Sequence, residues 1–314
     1  MELSPKGTEF EELRPLLFSI AYRMLGSVAE AEDIVQEAFL RWQHALRGGT
    51  EVESPKAYLS AAVTRLSIDH LRSARVRRER YVGQWLPEPL RTEAVPDASE
   101  HVMLAESLSM AFLILLESLS PVERAVFLLH DIFDYDYDEI APMVGKSEQN
   151  CRQLAVRARR RVEERRPRFE TSTPKQEELA RRFFGAVERG DTAGLIQLLA
   201  RDVVVYGDGG GKAPSWLQPI EGQDRVSRLL AGVGRQMHQF GLSIRLTELN
   251  GQPGALFFDP EGRLTNVMVL DIADGVVQTV RAIINPDKLG HLGPVADVRG
   301  LLRERREQAT DGTS

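Results

Sequence analysis

YDEIAPMVGKSEQNCRQL, from Tyr137 to Leu154, places two short amphipathic segments on either side of a glycine. Ile140, Ala141, Val144, Cys151 and Leu154 fall where two crossed helices need apolar or small side chains, and Gly145 stands where the tight turn between them requires a positive φ. Ser147 is placed to cap the second helix. This register is that of a helix-turn-helix. It leaves Glu148, Gln149, Arg152, Gln153, Val156 and Arg157 on or near the outer face of the second helix, the face that meets the major groove in such motifs. Arg157, Arg159, Arg160, Arg161, Arg165, Arg166 and Arg168 continue as a basic run opposed by Glu163 and Glu164. Such a run suits phosphate contacts, each adding roughly one unit to the salt-dependence slope of binding. A helical hairpin with a merely solvated basic face would share the helices, but not the arginine run in register with six positional requirements.

The 314 residues are long for one domain and apolar enough to fill more than one core. A formal net charge of −6 excludes a uniformly basic nucleic-acid coat, so DNA affinity has to come from local islands, at Arg72 to Arg80 and Arg152 to Arg168. Cys151 is the one cysteine, which excludes an internal disulfide and a cysteine-built zinc cluster; its place in the apolar pattern makes it a core residue rather than a reactive thiol. No apolar run reaches membrane-spanning length, and MELSPKGTEFEELR lacks the basic and apolar regions of a signal peptide, so the expected location is the cytoplasm.

Phe10, Leu13, Leu17, Ile20 and Met24 recur at helical spacing up to Gly26, and Ser27 with Glu30 opens a second helix that buries Ile34, Val35, Ala38, Phe39 and Trp42. Ser54 and Pro55 start a third, carrying Tyr58, Leu59, Ala62, Val63, Leu66, Ile68 and Leu71. From about Val76 to Glu100 the prolines of WLPEP and Pro96 predict an extended, linker-like segment. Periodicity returns over Met103 to Leu119, and Ser120-Pro121-Val122-Glu123 reads as a capping box. After Thr173 come a helix with Leu179, Phe183, Phe184 and Val187, a shorter one ending near Leu199, the strand and glycine turn DVVVYGDGGG, and a helix over Asp224 to Gln239. Alternating runs LSIRLTEL, GALFFD, LTNVMVLDI and VVQTVRAII follow. Asn250-Gly251, Glu261-Gly262 and Asp274-Gly275 punctuate them as hairpin turns, which implies an α+β domain.

Residues 9 to 168 resemble an extracytoplasmic-function sigma factor. AEDIVQEAFLRW (Ala31–Trp42) resembles the family's polymerase-binding helix, AYLSAAVTRLSIDHLRSARVRR (Ala57–Arg78) the helix that melts and reads the −10 element, and LSPVERAVFLLHDIFDYDYDEIAPMVGKSEQNCRQLAVRARRRV (Leu119–Val162) the −35 reader. The remainder resembles the SnoaL-like cone. Its attachment, together with WLPEP at Trp85–Pro89, DGGGK at Asp208–Lys212 and NPDKL at Asn285–Leu289, is similar to the sigma-J type subgroup, whose appended domain is thought to regulate in cis. The fold this implies is multidomain: two all-α sigma domains, the second a helix-turn-helix, then an α+β cone with a curved antiparallel sheet. The expected boundaries are 1–75 for sigma region 2, 76–102 for the linker, 103–170 for region 4, 171–300 for the SnoaL-like domain and 301–314 for a fraying tail. The resemblance implies core RNA polymerase, through its β′ clamp helices and β flap, and promoter DNA as partners. It leaves room for a small-molecule ligand of the SnoaL-like domain, with no metal and no cofactor expected.

Asp33, Gln36 and Glu37 share one helix face and can present acceptors together; by resemblance they meet the β′ clamp helices. Arg65, Asp69, His70 and Arg72 lie on the helix where the family handles the opened −10 strand, and Arg75, Arg77 and Arg78 read as phosphate contacts. Arg152 and Gln153 are the leading base-edge readers, followed by Gln149 and Val156, with Arg157 and Arg160 on the backbone. The subgroup's interdomain motifs comprise Trp85, Leu86, Pro87, Glu88 and Pro89, then Asp208, Gly209, Gly210, Gly211 and Lys212, then Asn285, Pro286, Asp287, Lys288 and Leu289. Asp131, Asp134, Asp136, Asp138 and Glu139 lack the spacing of a calcium loop, and Ala213 stands where a phosphate loop needs Ser or Thr. Tyr206, Asp208, Trp216, His238 and Asp271 are the groups that could approach a pocket in the cone, yet no nucleophile motif accompanies them, so no catalysis is expected. Two other readings are a stand-alone helix-turn-helix regulator and an enzyme fused to a DNA-targeting module.

Overall fold

Gly26 ends one helix in the left-handed conformation, at φ 68°, and the Ser27 hydroxyl accepts from the Glu30 amide to start the next. The structure, a computed structural model, describes residues 5–78, 81–92, 107–165 and 174–303. The chain forms two units, Met1–Glu79 with Val95–Pro167 and Arg80–Ala94 with Arg168–Ser314. It therefore passes from the first unit to the second and back before entering the second to stay.

In the first unit, α1 (Pro5–Leu25), α2 (Val28–Arg47) and α3 (Pro55–Arg78) pack on one another around Leu17, Ile20, Met24, Val35, Trp42, Leu59 and Val63. Helix α3 runs through Arg78, past the boundary expected at 75, because RSARVRR contains neither glycine nor proline to stop it. The helix expected over Met103–Leu119 is shorter: α4 (Met110–Leu116) begins only where the Ser109 hydroxyl accepts from the Phe112 amide, and residues 103–106 lie outside those described. Both halves of the Ser120–Glu123 capping box are formed at the start of α5 (Pro121–Phe127). A wide π turn, Leu128–Ile132, leads on to α6 (Tyr137–Val144) and α7 (Glu148–Arg165). Gly145 between these last two has φ 65° and ψ 43°, and Cys151 and Leu154 are buried against Ile140 and Ala141, as the sequence register requires.

In the second unit, α8 (Pro174–Arg189), α9 (Thr192–Leu198) and α10 (Gln223–Phe240) pack on a curved sheet made of β1 (Leu199–Asp208), β2 (Ile220–Glu221), β3 (Ser243–Leu249), β4 (Gln252–Phe258), β5 (Leu264–Ala273) and β6 (Val276–Ile283). The spatial order is β2-β1-β6-β5-β4-β3. Pairing is antiparallel except between β1 and β6, where the helical crossover and three hairpins bring the chain back in the same direction. Asn250-Gly251 and Asp274-Gly275 have both φ values positive, the geometry of tight two-residue hairpin turns. Phe183, Phe184, Val203, Val226, Leu230, Phe257, Leu270 and Val280 fill the space between helices and sheet. This is the SnoaL-like architecture. Residues 301–303, expected to belong to a fraying tail, are instead helical together with 298–300; Leu301 and Leu302 are apolar and line a cavity of this unit, which explains why the helix forms.

At Gly145 a Cβ would meet nothing within 4 Å, so any penalty for a side chain is purely conformational. Gly145→Ala is expected to cost about 1 to 2 kcal/mol, and Gly145→Asn less, because asparagine tolerates the left-handed region. Chemical denaturation of the two variants beside the parent checks the order.

Candidate functional site

Helix α7 exposes one continuous stripe. Gln149, Arg152, Gln153, Val156, Arg157 and Arg160 are all solvent-exposed, and Val156, at 62 %, is as open as the charged residues around it. Arg152 lies over the Tyr137 ring at 4.9 Å and reaches Glu148 at 3.3 Å, which holds its guanidinium near the start of the helix. Arg160 pairs only with its neighbour one turn on, Glu164 at 2.9 Å, among the contacts described.

Other arginines of the run pair with acidic residues of the same unit. Arg159 donates to Asp131 at 2.6 Å and to the Tyr137 hydroxyl at 3.4 Å, and this hydrogen bond with Asp131 is the main reason its pKa is raised. Arg161 donates to Glu123 at 2.9 Å, with Arg157 3.9 Å from the same carboxylate. Glu123 also accepts from the Ser120 amide and hydroxyl, at 3.1 and 2.7 Å. Burial by itself raises this carboxyl's pKa, but the Ser120 hydrogen bonds, then Arg161 and Arg157, outweigh it and hold it below its ordinary range. The side chains of Arg165, Arg166 and Arg168 lie outside the described residues.

Asp33, Gln36 and Glu37 are exposed together on α2, with Glu37 2.8 Å from Arg41. On α3 the structure uses several of the expected −10 residues internally. Arg65 donates to the carbonyls of Pro142 at 2.6 Å and Met143 at 3.1 Å, satisfying the C-terminal end of α6. His70 sits 2.9 Å from Glu30, and Arg72 pairs with Asp69 at 3.2 Å. The side chains of Arg75, Arg77 and Arg78 are outside the described residues. Tyr58 is half-buried on α3.

The three motifs WLPEP, DGGGK and NPDKL meet in the second unit. Residues 81–92, part of the segment read as extended and linker-like, run across it as a strap and are buried from Leu86 to Leu90. Proline makes this feasible, because each one removes an N–H that would otherwise need a partner. Distant side chains and main chain meet backbone groups at both ends of the buried stretch. Leu86 N–H donates to Asp208 Oδ2 at 2.9 Å and Leu90 N–H to Asn250 Oδ1 at 2.8 Å. Asn250 N–H returns a bond to the Leu90 carbonyl at 2.8 Å, Lys288 Nζ donates to the Leu86 carbonyl, and His291 Nε2 lies 2.6 Å from the Pro89 carbonyl.

Asp208 is the centre of this arrangement. Its carboxylate is fully buried and takes Tyr81 Oη at 2.5 Å, the Leu86 amide, and Lys288 Nζ at 2.7 Å. The ammonium also lies over the Trp85 and Tyr81 rings, at 4.3 and 5.0 Å. Burial, then the hydrogen bond to the Asp208 carboxylate, raises the Tyr81 pKa far above its ordinary value and keeps the phenol a donor. Asn285 donates to Tyr81 Oη at 2.9 Å, and Gly210 must be glycine, because a Cβ there would fall 2.2 Å from Asn285 Nδ2. Lys212 pairs with Asp287 at 2.5 Å, tying the second motif to the third. Sequence reading did not single out Tyr81, Asn250 or His291; their partners lie 127 to 204 residues away, and local periodicity carries no sign of them.

Tyr206, Asp208, Trp216, His238 and Asp271 do not converge on a pocket. Trp216 lines a cavity, Asp208 anchors the strap, Asp271 is paired with Arg281, Tyr206 lies 5.9 Å from the Arg281 guanidinium, and His238 is exposed. Among the described residues no group of three or more His, Cys, Asp or Glu could hold a metal, and no helix is long and apolar enough to cross a membrane.

The sequence matches Sigma-70 region 2 over residues 10–77 and Sigma-70 region 4 over residues 109–162. It is 38 % identical to the ECF RNA polymerase sigma factor SigJ of Mycobacterium tuberculosis, over 96 % of each chain. The chain belongs to the extracytoplasmic-function RNA polymerase sigma factors. It is a transcription factor, an alternative sigma factor that acts with core RNA polymerase at promoter DNA. A second relative in M. tuberculosis, the probable ECF sigma factor SigI, is 32 % identical over 92 % of this chain and 96 % of its own. The crystal structure of SigJ superposes with a TM-score of 0.71 at 35 % identity, covering 92 % of this sigma factor and 99 % of that chain. The helix-turn-helix stripe therefore lies in region 4, and α2 and α3 in region 2.

Because the folded-state pKa of Glu123 is depressed, its stabilising effect is present above its unfolded value, about 4.3, and is lost as pH falls through the folded value. Acid unfolding followed by circular dichroism should show Glu123→Gln to be less stable than the parent at pH 7, with the gap closing toward pH 3. For the strap, Lys288→Met leaves a buried carboxylate unpaired and is expected to cost about 3 to 5 kcal/mol. Fluorescence-monitored denaturation and faster proteolysis between residues 81 and 92 would register it, and Asp208→Asn combined with Lys288→Met should recover part of the loss.

Proposed function

We propose that this sigma factor reads the −35 element with the exposed stripe of α7 and the −10 element with α3, and that its SnoaL-like domain regulates both in cis by taking up the connecting chain. The observation that carries the reading is the burial of residues 86–90, in the segment that joins region 2 to region 4, beside the Asp208–Lys288 pair of the C-terminal domain. Arg152 and Gln153 present planar donor and acceptor forks for base edges, with Gln149 and Val156 beside them; Arg157 and Arg160 contact phosphate. Asp33, Gln36 and Glu37 offer acceptors to the β′ clamp helices of core polymerase, and region 4 meets the β flap.

Region 2 and region 4 are packed together within the first unit, through Arg65 on Pro142 and Met143, Ser60 with Tyr135 at 2.8 Å, and Arg124 on the Met24 carbonyl at 2.5 Å. Two separated promoter elements require the regions to part, and then the linker has to span the gap. Twelve extended residues reach about 40 Å at most. Whether residues 81–92 are strapped down or free therefore sets how far apart the two readers can work. Parting also frees Arg65 and leaves it available to the opened strand. The SnoaL-like domain acts here without catalysis: its candidate polar groups are dispersed, Asp208 and Asp271 are engaged in ion pairs, and the cavity beneath Leu301 and Leu302 is lined by uncharged side chains. The protein works in the cytoplasm, where polymerase and promoter are.

Run-off transcription with core polymerase tests the reading. On templates differing in the length between the two elements, Lys288→Met should broaden the range of lengths that support initiation; an unchanged range counts against cis control through the strap. On templates differing in −35 sequence, Arg152→Ala should lose about 1 to 3 kcal/mol of discrimination, whereas Arg160→Ala should weaken all templates alike and lower the salt slope. The reverse pattern would mean that the two residues have exchanged roles.

A further inference from the structure

The sheet and α10 of the second unit line a partly open cavity of about 180 Å³, walled by Trp216, Met237, Phe257 and Met268 and bordered by Leu301 and Leu302. None of its lining side chains carries a charge; the polar ones are the amides of Gln236 and Asn266 and the hydroxyl of Thr265. Thr265 is already engaged, its one hydroxyl hydrogen lying between the Phe257 carbonyl and Asn266 Oδ1, each 3.1 Å from Oγ1. A dry apolar cavity of about 150 Å³ in a protein interior takes up benzene, and drug-sized ligands need upward of roughly 300 Å³. The space therefore fits one small ring system.

Two features distinguish it from a packing defect. One wall is a separable piece of chain, residues 298–303, held by Arg299 Nη2 donating to the Gly211 carbonyl at 2.6 Å and by the Asp297 cap on the Gly300 amide at 3.0 Å. The opposite wall is shared with the strap anchor. The Trp216 ring lies on Gly207, where a Cβ would fall 2.5 Å from Cε3, and the lining residue Ile284 donates its N–H to the Asp208 carbonyl at 2.8 Å.

We propose that this cavity is a binding site for a small, neutral, largely apolar molecule of one or two rings with a single hydrogen-bonding group, entering past residues 298–303, and that its occupancy stabilises the Asp208 anchor of the strap. The site stands independently of whether the strap governs promoter spacing. A negatively charged analogue of the same size is excluded, because no lining side chain offers it a counter-charge.

The test uses the full-length protein with ¹³C-methyl-labelled methionine, indole and cyclohexanol as neutral probes, and benzoate as the charged one. The expected result is saturable shifts of the Met237 and Met268 methyl resonances with the neutral probes, with Met24, Met110 and Met143 in the other unit unmoved, and no response to benzoate. Ala282→Leu, which fills the lined space, should abolish the shifts, and a chain ending at Asp297, which lacks one wall, should weaken them. Hydrogen exchange at the Leu86 and Leu90 amides should slow by up to about tenfold with indole at roughly ten times its Kd. Absence of saturable shifts in the folded parent, or shifts that persist in Ala282→Leu, would overturn the site. Saturation that leaves exchange at Leu86 and Leu90 unaltered would overturn its link to the strap.

Discussion

A carboxylate with no exposure to water has to be matched by positive charge and hydrogen-bond donors, and Asp208 recruits all of its partners from segments far from it in sequence. Lys288 comes from the turn after β6, Tyr81 and the Leu86 amide from the strap. Once the carboxylate sits at the end of β1, those segments have no alternative position that leaves it satisfied. Gly210 follows from the same requirement, since Asn285 and Tyr81 occupy the space that its Cβ would take. A buried pair of this kind adds little net stability over an apolar replacement, but it penalises every arrangement in which one partner is missing. It acts as a lock on which chain segment lies in the groove rather than as glue.

What the sequence made legible, and what it hid, divides along the same line. Helix spacing, caps and turns are local, so the helix-turn-helix, the Ser120 capping box and the hairpins at Asn250 and Asp274 could be placed from a few residues each. The exposed stripe of α7 was equally legible, because a helix face is fixed by its own period. WLPEP was legible as an extended connecting segment, but the depth of its burial was not, for a physical reason. Prolines make a segment extended whether it is solvated or buried, and what decides between the two is the supply of acceptors from Asp208 and Asn250 and of donors from Lys288 and His291, all more than a hundred residues away. Resemblance to a subgroup connected the three motifs, but the roles of Tyr81, Asn250 and His291 appear only in three dimensions.

The arginines show the same division of labour between fold and function. By composition α7 and α3 are simply basic. In the fold, Arg159 and Arg161 bind Asp131 and Glu123, Arg65 satisfies the carbonyls at the end of α6, and Arg23 is buried, its pKa pushed down to about 9 by desolvation while it donates to Ser107 at 2.7 Å. Arg152, Gln153, Val156 and Arg160 are left on the surface. Counting charge would assign the whole run to phosphate, whereas the geometry separates residues that hold region 4 together from residues that face outward. Arg65 is the exception that links the two groups, because its present partners are main-chain carbonyls, which bind a guanidinium less strongly than phosphate does.

Energy scales decide whether a strap of this kind can be a working control element. Its hydrogen bonds are each worth about 0.5 to 1.5 kcal/mol net, more where a charge takes part, and Leu86 and Leu90 add the burial of two leucine side chains. The total is several kcal/mol, so the released strap is a minor state of the isolated chain. Moving such an equilibrium from mostly closed to mostly open takes about 5.5 kcal/mol of differential affinity, against about 12 kcal/mol for a nanomolar complex. A polymerase complex can thus drive release only by spending close to half of its binding energy on it. Anything that adds even a tenfold preference for the closed strap, about 1.4 kcal/mol, then shifts the fraction of assembled complexes in measurable steps. A cavity sharing a wall with Asp208 is therefore well positioned for control, since a weak ligand is enough to act on an equilibrium that is already nearly balanced by the assembly itself.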